Sequence, residues 1–270
     1  MMDVKSYRGL FYNEGLFSTV EDVLAVEEAL SISINDIPFT ITMRSPGSEK
    51  ELVRGLLLSE GIFKDTALDP DIRITATNGR GYVTSVNVVI PDGLLLKDFS
   101  GSRNMMSVSS CGICGKKSWD EEMDTIQLKK TGVIDPGWVA LMFERMRDQQ
   151  KAFSESGGTH AAAAFTLEGE LLDIREDIGR HNAVDKVIGA LLLKKSLDNA
   201  GCLTVSGRIS YEIVSKAGLA GIPVLASVSA PSSLAVECAE KCGMTLLAFC
   251  RKNKLTVYSH PERVLQKQIV

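Results

Sequence analysis

From Thr159 onward, short apolar runs alternate with helical stretches, and this alternation restricts the fold more than any other feature of the chain. Thr159–Leu167 reads as a small-residue strand, turned at Glu168-Gly169-Glu170 into a second, Leu171–Glu176. Asp177-Ile178-Gly179-Arg180-His181-Asn182 opens a helix running to about Lys195. Cys202–Ser206 is a buried strand, and Gly207-Arg208-Ile209-Ser210 starts the next helix. Ile222–Val228 is a strand again, and Ser229-Ala230-Pro231-Ser232-Ser233 opens a helix through Cys242. Met244–Cys250 ends in a basic turn before Leu255–Tyr258. Strands separated by helices pair in parallel with the helices on both faces, so this half is an α/β layer sandwich.

The first half has another rhythm. Val23–Asn35 and Pro38–Met43 flank the turn signal Asn35-Asp36 and predict a hairpin. Ser48 with Glu51 three residues on has the capping-box pattern, and Gly61 marks the helix stop. Asp71–Thr77 and Tyr82–Ile90 form a second hairpin across Asn78–Gly81. The expectation is an antiparallel β-rich α+β domain with one helix, residues 1–130, followed by the α/β domain, 131–270. Between them periodicity fades from Pro91 to Trp119, and a helix follows at Gly137–Phe153. A loop of that length is usually functional or disordered.

Bulk properties exclude several classes. A net charge of −4 and a pI near 5.5 over 270 residues argue against a general duplex-nucleic-acid binder. The N-terminus M-M-D-V-K-S-Y-R lacks the apolar core of a signal peptide, and no run is long enough for a membrane span. Six unevenly spread cysteines without an export signal suit the reducing cytosol, so a disulfide framework is not expected and a cytoplasmic location is.

Within the long loop stands V-S-S-C-G-I-C-G-K-K, Val108–Lys117. Glycines and serines leave the sulfurs of Cys111 and Cys114 uncovered, and Lys116 and Lys117 favour thiolate over thiol. Four readings compete on spacing alone. The pair could be half of a structural zinc site completed by Cys238 and Cys242, a thioredoxin-like redox pair, an inert surface pair, or a nucleophile that carries sulfur as a persulfide.

In the α/β half, ligands gather beyond the carboxyl ends of the strands. Gly179-Arg180-His181-Asn182, Ser206-Gly207-Arg208 and Ser229–Ser233 open helices there, where unpaired N–H groups suit phosphate. Arg180 and Arg208 add bidentate donors, against the plainer reading of helix capping. Phe249–Lys254 (F-C-R-K-N-K) is a further cationic wall at the same sheet. His160, His181 and His260 are weak signals singly. Cys202 and Cys250 read as small core residues, and Cys238 and Cys242 as packed inward.

The motifs S-S-C-G-I-C-G-K, G-G-T-H-A-A-A, D-I-G-R-H-N-A-V-D-K, S-G-R-I-S-Y-E, S-A-P-S-S-L-A and R-S-P-G-S-E-K-E-L-V-R-G-L-L-L-S-E-G-I together resemble the formate dehydrogenase accessory sulfurtransferase family, FdhD. The resemblance spans roughly Leu24 to Arg263. It implies a cytoplasmic homodimer whose Cys-x-x-Cys loop takes persulfide sulfur from a cysteine desulfurase. The sulfur passes to the molybdenum (or tungsten) of bis-molybdopterin guanine dinucleotide before insertion into the formate dehydrogenase apoenzyme. Carried over, Cys111 is the persulfide carrier and Cys114 a helper or second carrier. The turn Phe249, Cys250, Arg251, Lys252, Asn253 and Lys254 matches a cofactor-binding segment. To it the residues themselves add Gly179, Arg180, His181, Asn182, Ser206, Gly207 and Arg208. Guanine nucleotides such as GDP would occupy the same site. The resemblance also implies a three-layer αβα domain of cytidine-deaminase-like type. A zinc deaminase needs H-x-E and P-C-x-x-C. Here His160-Ala161-Ala162 lacks the acid, and the cysteine pair precedes the histidine, so no metal site is expected. A cofactor-binding chaperone without covalent transfer is the alternative.

Overall fold

The computed structural model describes residues 4–96, 126, 128 and 132–265. Strands β1 (Val4–Asn13) and β2 (Leu16–Ala25) form a hairpin of their own. Glu14 and Gly15, both at positive φ, make its two-residue turn. Strands β3 (Glu28–Ile34), β4 (Ile37–Arg44), β5 (Asp71–Thr77) and β6 (Val83–Val89) form a sheet of order β4-β3-β6-β5. Both predicted hairpins are present, but they meet through a parallel pair, β3 with β6, where antiparallel pairing throughout was expected. The chain crosses from one hairpin to the other through helix α1 (Glu49–Ser59), and such a crossover allows parallel strands.

Leu30, Ile32 and Ile34 alternate onto one face of this sheet and meet Leu52, Val53 and Leu57 of α1 in a closed core. The helix ends as predicted: Gly61, at φ 68°, donates to the Leu58 carbonyl, and Ile62 donates to that of Leu57. This is a Schellman closure around a residue without a side chain. Its start corrects the sequence reading. Ser48 lies in the left-handed region at φ 57° and caps nothing; its hydroxyl accepts from Arg175 Nη1 at 3.1 Å. Glu49, not Glu51, turns back to the chain entering the helix, accepting from the Gly47 N–H at 2.7 Å and pairing with Arg44 at 2.9 Å.

The second sheet has the order β12-β11-β10-β9-β7-β8. Its strands are β7 (His160–Phe165), β8 (Leu171–Asp177), β9 (Cys202–Val205), β10 (Val224–Ser227), β11 (Thr245–Arg251) and β12 (Lys254–Ser259). The helix-linked strands β9, β10 and β11 run parallel. The strands joined by tight turns, β7 with β8 and β11 with β12, are antiparallel, and β7 is also antiparallel to β9. Helices α4 (Arg180–Leu193), α5 (Tyr211–Leu219) and α6 (Ser233–Cys242) cover the face bearing Ala162, Ala164, Leu203 and Leu225. Helix α2 (Pro136–Asp148) covers the opposite face, on Ala161, Ala163, Phe165 and Ala226. Three αβα layers result. The single helix expected over Gly137–Phe153 is broken at Gln149-Gln150 into α2 and a short α3 (Lys151–Ser156), where Glu176 accepts from the backbone N–H groups of Ala152 and Phe153.

Helix α4 is buried on both sides because α1 lies against it. Gly55 and Gly189 make that approach possible: a β-carbon on Gly55 would stand 1.9 Å from the Asp185 carbonyl oxygen. Beside the crossing, buried Asp185 accepts from Lys216 Nζ at 2.7 and 2.8 Å and from Ser59 Oγ at 2.5 Å. Burial pulls the Lys216 ammonium toward neutrality, but Asp185, joined by Glu60 and Glu212, outweighs it and holds the pKa above its ordinary value.

Candidate functional site

The carboxyl ends of β8, β9, β10 and β11 share one edge of the sheet, and the start of antiparallel β7 lies there too. Three of the predicted segments, Gly179–Asn182, Ser206–Arg208 and Phe249–Lys254, come together on this edge. From β7 to β11 is three strand spacings, about 14 Å. That span suits an extended nucleotide more than a lone phosphate.

Asp177, fully buried at the end of β8, builds the platform. Its carboxylate pairs with Lys186 Nζ at 2.7 Å and accepts from the N–H groups of Ser45 and Gly179 and from Asn182 Nδ2. With its charge offset by lysine and its oxygens filled by donors, it does not repel an anion bound above it. Asn182 also donates to the Met43 carbonyl at 2.7 Å. The amide therefore ties the start of α4 to β4, and part of the predicted binding residue is spent on joining the two sheets.

Gly179 is the N-cap of α4, and no side chain caps this helix. Arg180 is its first residue, half-buried, and its Nε is enclosed without a hydrogen-bond partner among the described residues. His181 turns aside to Glu212 Oε2 at 2.8 Å and Ser210 Oγ at 3.3 Å, so the predicted ligand residue is engaged within the protein. Ser210 starts α5 without capping it, whereas Ser232 caps α6 by accepting from the Ala235 N–H. Capping is thus the right reading at Ser232 and the wrong one at Ser210.

At the end of β9, Gly207 lies between Arg180 and His160. A β-carbon there would stand 3.3 Å from Arg180 Cβ and Cδ and 3.4 Å from His160 Nδ1. Ser227 fixes this loop from the β10 side, donating to the Gly207 carbonyl at 2.7 Å and accepting from the Ser229 N–H. Ser206 Oγ accepts from the Ala161 N–H at 2.9 Å and meets His160 Nδ1 at 3.3 Å. Burial, then the charges of Arg180 and His181, keep the His160 pKa below its ordinary value. Arg208 projects into solvent.

The basic turn is a type I′ hairpin whose central residues Lys252 and Asn253 both have positive φ. Phe249, also at positive φ, bulges outward, and Arg251 Nε donates to the Val228 carbonyl at 2.8 Å. Phe249, Arg251, Lys252, Asn253 and Lys254 are exposed. Cys250 is not. Its side chain points into the core against α2, and burial pushes its thiol up to about 12, so as a side-chain ligand it is a correction. Cys202, Cys238 and Cys242 are buried as expected. Cys111 and Cys114 lie outside the described residues. Among the described residues no cluster of three or more His, Cys, Asp or Glu could hold a metal, and no helix is long and apolar enough to cross a membrane.

Sequence reasoning undervalued His160 and missed Asp177, Lys186, Glu212 and Ser227. Each is an ordinary residue until strand order places it; Asp177, Lys186 and Glu212 fall inside runs already singled out, and Ser227 does not.

The fold and this edge define a three-layer α/β protein with a cationic edge that carries Arg180, Arg208 and the basic turn Arg251–Lys254. The chain belongs to the FdhD/NarQ family, whose model matches residues 25–265. It is similar to the sulfur carrier protein FdhD of Streptomyces avermitilis, 43% identical over 259 residues, or 93% of this chain and 92% of the relative. It is 41% identical to the protein of that name from Sulfolobus acidocaldarius, over 97% of this chain and 99% of the relative. A crystal structure described as a formate dehydrogenase accessory protein from Desulfotalea psychrophila has the same fold, with a TM-score of 0.80 at 22% identity over 98% of this chain and 100% of that one.

Proposed function

We propose that this protein is a sulfurtransferase serving formate dehydrogenase. It carries persulfide sulfur on Cys111 from a cysteine desulfurase to the molybdenum (or tungsten) of bis-molybdopterin guanine dinucleotide, before insertion into the apoenzyme. A homodimer in the cytoplasm is the proposed working form. The observation that carries the reading is the cationic edge: Arg180, whose buried Nε has no partner among the described residues, and the exposed Arg208 and Arg251–Lys254 beyond. Such donors suit the phosphates and guanine of a substrate too polar for an apolar pocket.

The chemistry balances with the residues present in the sequence. The Cys111 thiolate attacks the outer sulfur of the desulfurase persulfide; a new S–S bond forms as the old one breaks, and the desulfurase cysteine leaves as thiolate. Release of that sulfur as sulfide requires two electrons. The Cys114 thiolate supplies them by attacking the Cys111 sulfur, which forms a Cys111–Cys114 disulfide and expels hydrosulfide. A cellular thiol then reduces the disulfide.

The test is intact-protein and peptide mass spectrometry after incubation with a cysteine desulfurase and cysteine. A gain of one sulfur on the Cys111–Cys114 peptide, absent in Cys111→Ala and longer-lived in Cys114→Ser, is the expected result. Full formate dehydrogenase maturation by a folded Cys111→Ala protein would sink the reading and leave a cofactor chaperone.

A further inference from the structure

His160 lies outside the segments assigned above, yet its ring lies on this edge between the loops that follow β8 and β9. Hydrogen-bond accounting favours one tautomer of the ring. Ser206 Oγ already accepts from the Ala161 N–H at 2.9 Å, and its own proton has one acceptor in reach among the described residues, His160 Nδ1 at 3.3 Å. The arrangement that satisfies both groups makes Nδ1 the acceptor. A neutral imidazole carries one proton, which in that arrangement stands on Nε2. No described residue takes it up. Beside the ring, buried Gly207 leaves room for the side chains of His160 and Arg180, and Arg180 Nε is buried without a hydrogen-bond partner among the described residues.

We propose that His160 is a neutral hydrogen-bond donor of the nucleotide edge, its tautomer set by Ser206, with Nε2–H directed to a phosphate oxygen of the ligand that Arg180 also holds. The inference rests on the nucleotide reading above and deepens it. The division of labour is physical. Arg180 supplies charge at long range, while the imidazole supplies one directed bond and no second positive charge to crowd the guanidinium. Ser206 acts through His160 and is a positioning residue. A side chain at Gly207 would press on both donors, which would have to shift to admit it.

The two ring nitrogens can be told apart by substitution. The terminal amide of glutamine reaches the place of Nε2, and that of asparagine reaches the place of Nδ1. GDP titrated calorimetrically into the full chain should bind wild type. It should bind His160→Ala about tenfold more weakly, the scale of a hydrogen bond to a charged acceptor. His160→Gln should recover most of the loss and His160→Asn little of it. Thermal melts of each variant identify any loss of fold. Independently, ¹⁵N spectra of the ligand-free protein should show the His160 proton on Nε2, and Ser206→Ala should weaken that preference. Unchanged GDP affinity in His160→Ala overturns the proposal, as does a proton found on Nδ1, while wild-type binding continues to support the edge itself. Wild-type protein that binds no GDP overturns the nucleotide reading and the role of His160 together.

Discussion

Gly189 meets α1 so closely that a β-carbon on it would stand 1.8 Å from the Glu51 carbonyl oxygen and 2.8 Å from the Gly55 backbone nitrogen. The obstacle is backbone on a packed helix, so it cannot swing away as a side chain could. Gly189→Ala and Gly55→Ala should each force the helices apart and cost about 1–3 kcal/mol. In a chain of this size that lowers the melting temperature by several degrees, on the order of 2–4 °C per kcal/mol. Calorimetric melts check it; an unchanged melting temperature would mean that the crossing is looser than described.

Asp185 and Lys216 are the next joint. Removing one partner of a buried pair leaves the other charge uncompensated, so Asp185→Asn should destabilise by about 3–5 kcal/mol. The pH dependence separates this from simple misfit. In the wild type the Lys216 pKa is raised above 10.5, so its contribution is complete below that pH and is lost as pH rises through the folded value. In Asp185→Asn, burial dominates and depresses the pKa, so stability should climb with pH toward 10.5. Urea unfolding between pH 7 and 10 reads this out. Parallel curves for the two proteins would refute it.

Much of this fold is written in local pattern. Strand–helix alternation after Thr159 gives the αβα layers, because each helix must bury one stripe on a sheet. The Asn78–Gly81 turn and the Gly61 stop follow from backbone freedom that few residues have. Pairing between distant strands is not local, so β3 beside β6 could not be read from either strand. The β1–β2 hairpin was missed for a different reason. Most of its side chains face solvent, including Leu10, Phe11, Leu16 and Phe17, so no core-facing alternation marks it, and only Glu14-Gly15 signalled a turn. At the site the glycines and arginines stood out by type. Ser48 was misjudged because a partner from another element, Arg175, competes for it, and the Glu212 partner of His181 is supplied only by the tertiary fold.

Acid should weaken the fold through His160. Its folded pKa lies below 6.5, so the unfolded chain takes up a proton first, and stability present above 6.5 is lost as pH falls through the folded value. The charges facing the ring are Arg180 and His181, which disfavour protonation, and Asp177, which favours it. His160→Gln cannot titrate and should show a flatter stability profile between pH 7 and 5. The comparison is with wild type under identical denaturant, since carboxylates elsewhere titrate in both proteins. Superimposable profiles would remove His160 from the account.

The cysteines divide by burial, and a thiol-reactive probe should count the division. The chain has six, and four of them, Cys202, Cys238, Cys242 and Cys250, are buried and unbonded to one another. Burial pushes the Cys242 thiol up to about 11 and that of Cys250 to about 12, so neither offers thiolate at neutral pH. Native protein treated briefly with iodoacetamide should therefore gain no more than two labels, the difference between six and four, and all six in denaturant. Peptide mapping should place the native labels at Cys111 and Cys114. Prior loading with sulfur from the desulfurase should change the product on that peptide and leave the four buried cysteines unmodified. Rapid native labelling of Cys202 or Cys250 would show that the α2 face opens readily, and persulfide found on either would move the sulfur-carrying role away from the loop.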